Sequence, residues 1–144
     1  MINNDTIELL KECNAGVKMG VSSIDEVLPQ VKNAVLRNKL TVCKDEHEKL
    51  GLETRRLLNQ YNDSGKEPNV FAKSMSWMKT NTKMMASPTD ATISDLITDG
   101  CNMGVKSLNR YLNEYGAAEE KAKDITKRLI NLEEQLAVDI REYL

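Results

Sequence analysis

The chain is poor in aromatic residues, proline and histidine. Phe, Trp and Tyr together make up 4% of its 144 residues, and it contains three Pro and a single His. A core with so few aromatic rings must be filled by aliphatic and methionine side chains, which suits packing between helices better than packing on a sheet rich in aromatic and β-branched residues. We therefore predict an all-α fold.

Long apolar runs and an excess of one charge are also absent. No run approaches the roughly 18 residues that span a bilayer, and the amino terminus has neither the basic nor the apolar region of a signal peptide. The 20 Lys and Arg are balanced by 22 Asp and Glu, which gives a net charge of −2 rather than the basic surface that nucleic acid selects. We expect no nucleic-acid partner, no membrane insertion and a cytoplasmic location.

The three cysteines do not suggest a paired site. Cys13, Cys43 and Cys101 are odd in number, lie far apart and form no Cys-x-x-Cys motif. Neither a disulfide framework nor a zinc ribbon fits this spacing. We expect all three to be reduced, buried and weakly polar core residues.

Apolar residues recur at steps of three and four along most of the chain, which is the period of a packed helix. These stretches run from about residue 4 to 29, 32 to 61, 91 to 115 and 118 to 144. A shorter amphipathic stretch from Asn69 to Met85 predicts another helix, with Phe71, Met75 and Met78 facing inward and Trp77 at the border of its apolar side.

The stretches that begin near residues 4 and 91 share a short pattern. Residues 16–24, GVKMGVSSI, align without gaps on residues 100–108, GCNMGVKSL, and a long helical stretch follows each copy. Duplication of a helical hairpin explains the match, and chance is the alternative. The pattern predicts a first hairpin at 1–61, a crossover at 62–90 and a second hairpin at 91–144.

The long crossover has a consequence for the topology. It can return along the length of a bundle, so the second and third bundle helices are expected to run parallel. The whole chain, residues 1–144, is then a single four-helix bundle domain made of two related hairpins and a crossover that contains a short helix.

Each copy of the pattern carries two glycines four residues apart, Gly16 with Gly20 and Gly100 with Gly104. Glycine inside a helix costs about 1 kcal/mol relative to alanine, so two on one face of each helix require a reason. We expect them to form the close contact between the hairpins, because a missing side chain lets another backbone approach. Room for a ligand beside the backbone is the alternative.

Several short motifs resemble those of an uncharacterised group of small ferritin-like proteins of Gram-positive bacteria. They are Lys18-Met19-Gly20, Asn102-Met103-Gly104, the Met-rich crossover with Trp77, and Glu133-Glu134. The resemblance covers nearly the whole chain and implies a ferritin-like fold of hairpin, crossover and hairpin. It carries no activity that can be transferred.

The metal ligands of the best-known ferritin-like proteins are largely missing. Those proteins hold two metal ions with a Glu from each of two helices and a Glu-x-x-His from each of the other two. Here Lys44, not Glu, stands three residues before His47. Glu46 and Glu12 are the other weak candidate ligands, with Glu133 at the edge of the predicted core. We expect no metal, no cofactor and no catalytic residue.

His47 occupies a seam position of the second helix and is expected to be buried near mid-height of the bundle, opposite Gly16. Two interpretations stay open for this residue. It is either a core imidazole that fills space and is satisfied by a hydrogen bond, or a ligand or proton carrier in a pocket left by glycine.

The leading functional hypothesis is a non-catalytic protein that acts through self-association or through protein partners. A well-specified bundle without the expected ligands motivates it. One alternative is a metal-dependent oxidase or iron-handling protein with a degenerate site, and another is a carrier of a small apolar ligand. A pocket between the first and third bundle helices would favour the carrier.

Overall fold

Four long helices dominate residues 4–61 and 88–144, which are the residues that the structure, a computed structural model, describes. Helix α1 spans Asn4–Val27, α2 Ala34–Gln60, α3 Asp90–Glu114 and α4 Glu120–Asp139, with short 3₁₀ turns at Leu28–Gln30 and Arg141–Tyr143. The predicted all-α fold is confirmed for these residues, among which no strand occurs. The predicted helix at Asn69 to Met85, with Phe71, Met75, Trp77 and Met78, lies outside the described residues.

Local chemistry sets the ends of the helices. Pro29 lies in the 3₁₀ turn after α1, where its missing N–H is tolerated. The Asn33 side chain caps α2 by accepting hydrogen bonds from two backbone N–H groups, at 2.8 and 3.1 Å. Thr89 and Thr92 form a reciprocal capping box at the start of α3.

Two contacts at opposite ends of the bundle define the helix directions. The Asp90 carboxylate accepts hydrogen bonds from the backbone N–H groups of Lys32, at 2.8 Å, and Asn33, at 2.9 Å, so α2 and α3 begin at the same end. The Thr6 hydroxyl accepts one from the Glu119 N–H at 2.8 Å, so α1 and α4 begin at the other. Helices α2 and α3 therefore run parallel, as predicted, and α1 packs antiparallel to α2 and α3 while approaching α4 across the diagonal.

The buried apolar residues form two cores, one above the other along the bundle. Leu40 and Leu136 belong to the core nearer the start of α2, and Leu10 and Leu129 belong to the core nearer the start of α1. On each helix one residue of the inward face falls between these cores. We call these four residues the central layer: Gly20, His47, Gly104 and Glu133.

The predicted seams are largely confirmed, with two shifts. The three- and four-residue steps of the sequence predict a seam of α2 that runs from Leu36 through Leu40, Cys43, His47, Leu50 and Thr54 to Leu57, and a seam of α4 that includes Leu129, Leu132 and Leu136. In α2 the positions from Leu36 to Thr54 are buried, but Leu58 is then buried in place of Leu57. In α4 Glu133 is buried and Leu132 is only half-buried. In α2 the shift lengthens a three-residue step to four, because a straight helix of 3.6 residues per turn drifts by about 20° per heptad from a strict 3.5-residue pattern. In α4 the three- and four-residue steps between Leu129 and Leu136 are exchanged, and the seven-residue spacing is kept.

Replacing Asp90 should loosen the junction between the hairpins. Asp90→Ala removes the acceptor of two backbone N–H groups, and we expect the free energy of unfolding to fall by about 1.5–3 kcal/mol, as for hydrogen bonds to a charged group. Asp90→Asn keeps one acceptor oxygen and should lose less. Urea unfolding measures the effect, with Asp99→Ala, exposed on the same helix, as the control. Equal stability of the two alanine variants would contradict the role of Asp90.

Candidate functional site

The central layer contains a buried pair of titratable side chains that joins α2 to α4. His47 Nε2 lies 2.7 Å from Glu133 Oε1. Only 1% of the surface of His47 and 7% of that of Glu133 is exposed. The other ring nitrogen, Nδ1, lies 2.8 Å from the backbone carbonyl oxygen of Cys43, one turn earlier on α2. Both nitrogens of the imidazole are therefore engaged.

The partners of the imidazole define where its protons lie. A carbonyl oxygen only accepts hydrogen bonds, so Nδ1 carries a hydrogen and donates it to Cys43. The contact between His47 Nε2 and Glu133 Oε1 requires one further proton, which either atom can carry. The pair has no net charge in either case. Burial lowers the pKa of His47, but the hydrogen bonds to Cys43 and Glu133 outweigh it and raise the pKa to about 10. This favours an imidazolium paired with a carboxylate.

Gly20 makes room for this pair, and Gly104 lies in ordinary contact distance of it. A Cβ atom at Gly20 would lie 2.7 Å from Cδ2 and 2.8 Å from Nε2 of His47. A Cβ atom at Gly104 would lie 3.7 Å from Cδ and Oε2 of Glu133. The atoms nearest to both positions thus belong to side chains of α2 and α4, whereas we had expected an opposing backbone.

The other two glycines of the repeat have different surroundings. A Cβ atom at Gly16 would lie 3.4 Å from Cδ2 of Leu129, an ordinary contact in the apolar core. Among the described residues, a Cβ atom at Gly100 would meet no heavy atom of a neighbouring element within 4 Å. Packing therefore explains the glycine at position 20 and leaves the glycine at position 100 unexplained.

The expected position of His47 opposite Gly16 was wrong by about one helical turn, since the imidazole faces Gly20. The hairpin turn is the cause. The 3₁₀ turn Leu28–Gln30 extends the first arm beyond α1, and α2 begins only at Ala34. The centre of the hairpin consequently lies farther along the chain than a turn at Pro29 predicts.

Two cysteines flank the pair without forming a reactive site. Cys43 Sγ lies 3.5 Å from His47 Nδ1, and the Cys101 thiol lies beside the Glu133 carboxylate. Burial and this carboxylate raise the pKa of Cys101. The Cys43, His47 and Glu133 series resembles a nucleophile, base and acid, but Nδ1 already donates to the Cys43 carbonyl and cannot accept the thiol proton. With Cys13, all three cysteines are free and buried, as predicted.

Two adjoining cavities open between α1 and α3, and we call them together the α1–α3 groove. The larger, of about 60 Å³, extends from Glu12 and Tyr111 to Glu133. The smaller, of about 30 Å³, lies beside Gly100 and the central layer. Met19 and Glu133 border both cavities. The buried carboxylate can therefore be reached from this groove.

The outer end of the groove contains a second carboxylate. Burial raises the pKa of Glu12, while a hydrogen bond with Tyr111 opposes the rise and the neighbouring Glu8 and Glu114 add to it. The ring of Tyr111 stacks on that of Tyr115, with centroids 6.3 Å apart. The mouth of the groove is thus both acidic and aromatic.

The structure does not bring the three weak candidate ligands together. Glu46 is partly exposed and pairs with Lys49 at 3.1 Å. Glu12 precedes Gly20, the neighbour of His47, by eight residues, or about 12 Å along the helix. Within residues 4–61 and 88–144, no group of three or more His, Cys, Asp and Glu side chains is arranged to hold a metal ion.

Glu133 is the residue of this site that we did not assign from the sequence. It follows Leu129 by four residues and precedes Leu136 by three, so it fits the seam as well as Leu132 does. From the sequence we had placed the apolar Leu132, and not Glu133, in the seam of α4. A histidine in the seam of one helix was the available signal, because a carbonyl of the same helix satisfies one ring nitrogen and the other nitrogen still requires a partner.

Comparison with known proteins adds no relative. No protein-family model matches the chain, and no curated protein or solved structure matches it either. The resemblance to ferritin-like proteins stays a prediction. None of the helices in the described part of the chain is long and apolar enough to cross a membrane.

Gly20→Ala should destabilise the protein. Its Cβ would lie 2.7 Å from the His47 ring, which cannot move without weakening a buried hydrogen bond, so we expect a loss of about 1–3 kcal/mol in the free energy of unfolding. Gly100→Ala is the matched control, since it has open space and should gain up to about 1 kcal/mol from helix propensity. Urea unfolding of both variants tests this. Similar stabilities would contradict the steric role of Gly20.

The central pair should make stability depend on pH. The unfolded chain releases the His47 proton near pH 6.5, whereas the folded chain keeps it up to about pH 10. The pair's contribution is therefore complete below about pH 6.5 and declines as the pH rises through the raised pKa, by at most about 1.4 kcal/mol per pH unit.

Glu133→Gln should remove this dependence between pH 6.5 and 8, a range chosen below the cysteine titrations. Glu134→Gln, at the exposed neighbouring position, should retain it. Because the chain has one His, ¹⁵N NMR of the ring measures the pKa of His47 directly. A value at or below 6.5 in the folded protein would refute the ion pair.

Proposed function

We propose that this chain is a ferritin-like binding protein that carries a small, largely apolar molecule in the α1–α3 groove. The observation that carries this proposal is the position of the groove between the first and third bundle helices, with a buried carboxylate on its wall. The ferritin-like assignment is supported by the parallel course of α2 and α3, which begin at the same end of the bundle.

The walls of the groove suit a small apolar molecule. Ala15, Leu108 and Leu129 contribute aliphatic surface to the larger cavity, and Met19 and Met103 lie along it. Unbranched methionine side chains adapt to ligands of irregular shape. A cavity of about 60 Å³ holds several water molecules, or a molecule with a few non-hydrogen atoms.

Gly100 supports a role for the open space itself. Glycine within a helix costs about 1 kcal/mol relative to alanine, and no atom of another element in residues 4–61 and 88–144 lies within 4 Å of the position that its Cβ would occupy. A larger side chain here would extend into the smaller cavity, which Gly100 borders. A binding role explains why the residue is small where packing does not.

The central layer supports binding over iron handling. In the di-iron ferritin-like proteins, carboxylates on two helices face Glu-x-x-His motifs on the other two. Here Gly20 and Gly104 face His47 and Glu133, and these two side chains pair with each other at 2.7 Å. An imidazolium already bound to a carboxylate at one nitrogen and to a carbonyl at the other has no free lone pair for a metal ion.

Association with a second copy or with another protein is the second candidate. Apolar side chains are exposed on the outer faces of two helices, with Val35 at 55% and Val42 at 52% on α2, and Val138 at 45% on α4. Val42 borders a surface depression between these helices that Asp139 also lines. This surface lies on the side of the bundle away from the α1–α3 groove, so the two roles are compatible.

Binding of 1-butanol at millimolar concentration tests the carrier role. We expect saturable NMR shifts of the Met19 and Met103 methyl groups and of the Gly100 and Gly104 amides. Gly100→Leu places a side chain in the smaller cavity, where its Cβ contacts no neighbour in the described part of the chain, and it should weaken binding by at least about threefold, as expected for lost apolar contact. The control Leu52→Ala, at an exposed position of α2, should leave the affinity for 1-butanol unchanged. Shifts that fail to saturate, or that are unchanged in Gly100→Leu, would argue against the carrier role.

A further inference from the structure

The Glu133 carboxylate lies between the two glycines of the central layer, one on each wall of the α1–α3 groove. Oε1 lies 3.5 Å from the position that a Cβ atom at Gly20 would occupy, and Oε2 lies 3.7 Å from the corresponding position at Gly104. Gly20 lines the smaller cavity and Gly104 the larger. Because Gly104 has no side chain, Oε2 is open to the larger cavity.

The hydrogen-bonding capacity of this carboxylate is only partly used. A carboxylate accepts about four hydrogen bonds. His47 supplies one at Oε1, at 2.7 Å, and the Cys101 thiol beside the carboxylate is a weak donor. Within the described part of the chain, about two acceptor sites therefore remain on a residue that is 7% exposed. A buried acceptor without a donor is costly, so these sites favour an occupant of the groove that donates a hydrogen bond.

The charge at this point favours a neutral donor. His47 cancels the charge of Glu133, so a cation buried here would lack a counter-charge of its own. Among the described residues that line the two cavities, none is Lys or Arg that could hold an anion. A hydroxyl places one polar atom against the carboxylate, whereas an amide adds a carbonyl group that must be desolvated along aliphatic walls.

Glu12, at the outer end of the groove, is a weaker candidate for this contact. It has a hydrogen bond with Tyr111 and is only partly buried. Water therefore reaches Glu12 and supplies donors to it, so a ligand's hydroxyl gains little there. The polar end of a ligand is better placed at Glu133.

Building on the proposed carrier role, we propose that the ligand is a small aliphatic alcohol whose hydroxyl donates a hydrogen bond to Oε2 of Glu133. Its alkyl chain extends along Met19 and Met103 towards the outer end of the groove. An ether of the same size accepts hydrogen bonds but donates none, so it leaves the carboxylate without a donor. Gly104 must be small for this contact to form.

Two isomers, 1-butanol and methyl propyl ether, separate the hydroxyl from the apolar contact. They have the same atoms and a similar length, but only the alcohol has an O–H donor. Titrated at pH 7 and followed by NMR of the Met19 and Met103 methyl groups, 1-butanol should bind at least about fivefold more tightly than the ether, as expected for one hydrogen bond of ordinary strength.

Gly104→Ala tests the acceptor without removing Glu133, whose loss would leave His47 unpaired. Its methyl group covers Oε2 at an ordinary contact distance, so the affinities of the two probes should come to within about twofold of each other. Gly16→Ala is the matched control, since Gly16 also lines the larger cavity but a Cβ atom there lies nearest to Leu129. It should change both affinities by the same factor and leave their ratio intact. Thermal unfolding of each variant confirms that it is folded.

The outcomes distinguish this inference from the carrier role on which it rests. If the ether binds at least as tightly as 1-butanol in the parent, the alcohol is wrong and the carrier role stands. A preference for 1-butanol that survives Gly104→Ala, or that Gly16→Ala removes equally, overturns the assignment of Glu133 as the acceptor. If neither probe binds the groove saturably, both proposals fail.

Discussion

A charge pair in the middle of an apolar bundle constrains the register of the helices that carry it or pack on it, α1, α2 and α4. The pair of His47 and Glu133 lies between two cores of aliphatic side chains, and burying it is tolerable only while each group keeps its partner. A slide of α2 or α4 by one turn would place a charged group against leucine. A slide of α1 by one turn would place either Ile24 or Gly16 where Gly20 leaves room for the imidazole, and Ile24 would not fit there. The central layer thus fixes relative heights that the apolar cores alone would specify weakly.

The features of the fold that could be predicted depend on neighbours in the sequence. Steps of three and four residues identified the long helices, and Thr89 and Pro29 marked helix ends because caps and breakers act locally. The register between helices could not be predicted in the same way. It depends on the length of the turn between α1 and α2, where a 3₁₀ segment that the pattern does not specify moves His47 from Gly16 to Gly20.

The candidate site shows a second limit on what could be predicted from the sequence. The four glycines of the repeat were recognisable as a small face, but a missing side chain serves a backbone contact, a bulky neighbour or an open space equally well. The structure distinguishes these uses, since Gly20 accommodates an imidazole, Gly16 contacts Leu129 and Gly100 borders a cavity. Glu133 was expected only at the edge of the core, because a carboxylate becomes a plausible core residue only when its partner on another helix is known.

The different residues that the two hairpins contribute to the central layer make them complementary. The first supplies Gly20 and His47, and the second supplies Gly104 and Glu133. Two copies of the first hairpin would bring two imidazoles face to face, and two copies of the second would bring together two carboxylates, each without a counter-charge. Only the mixed assembly satisfies both groups. Whatever the origin of the shared glycine pattern, each hairpin is complementary to the other hairpin and not to a second copy of itself.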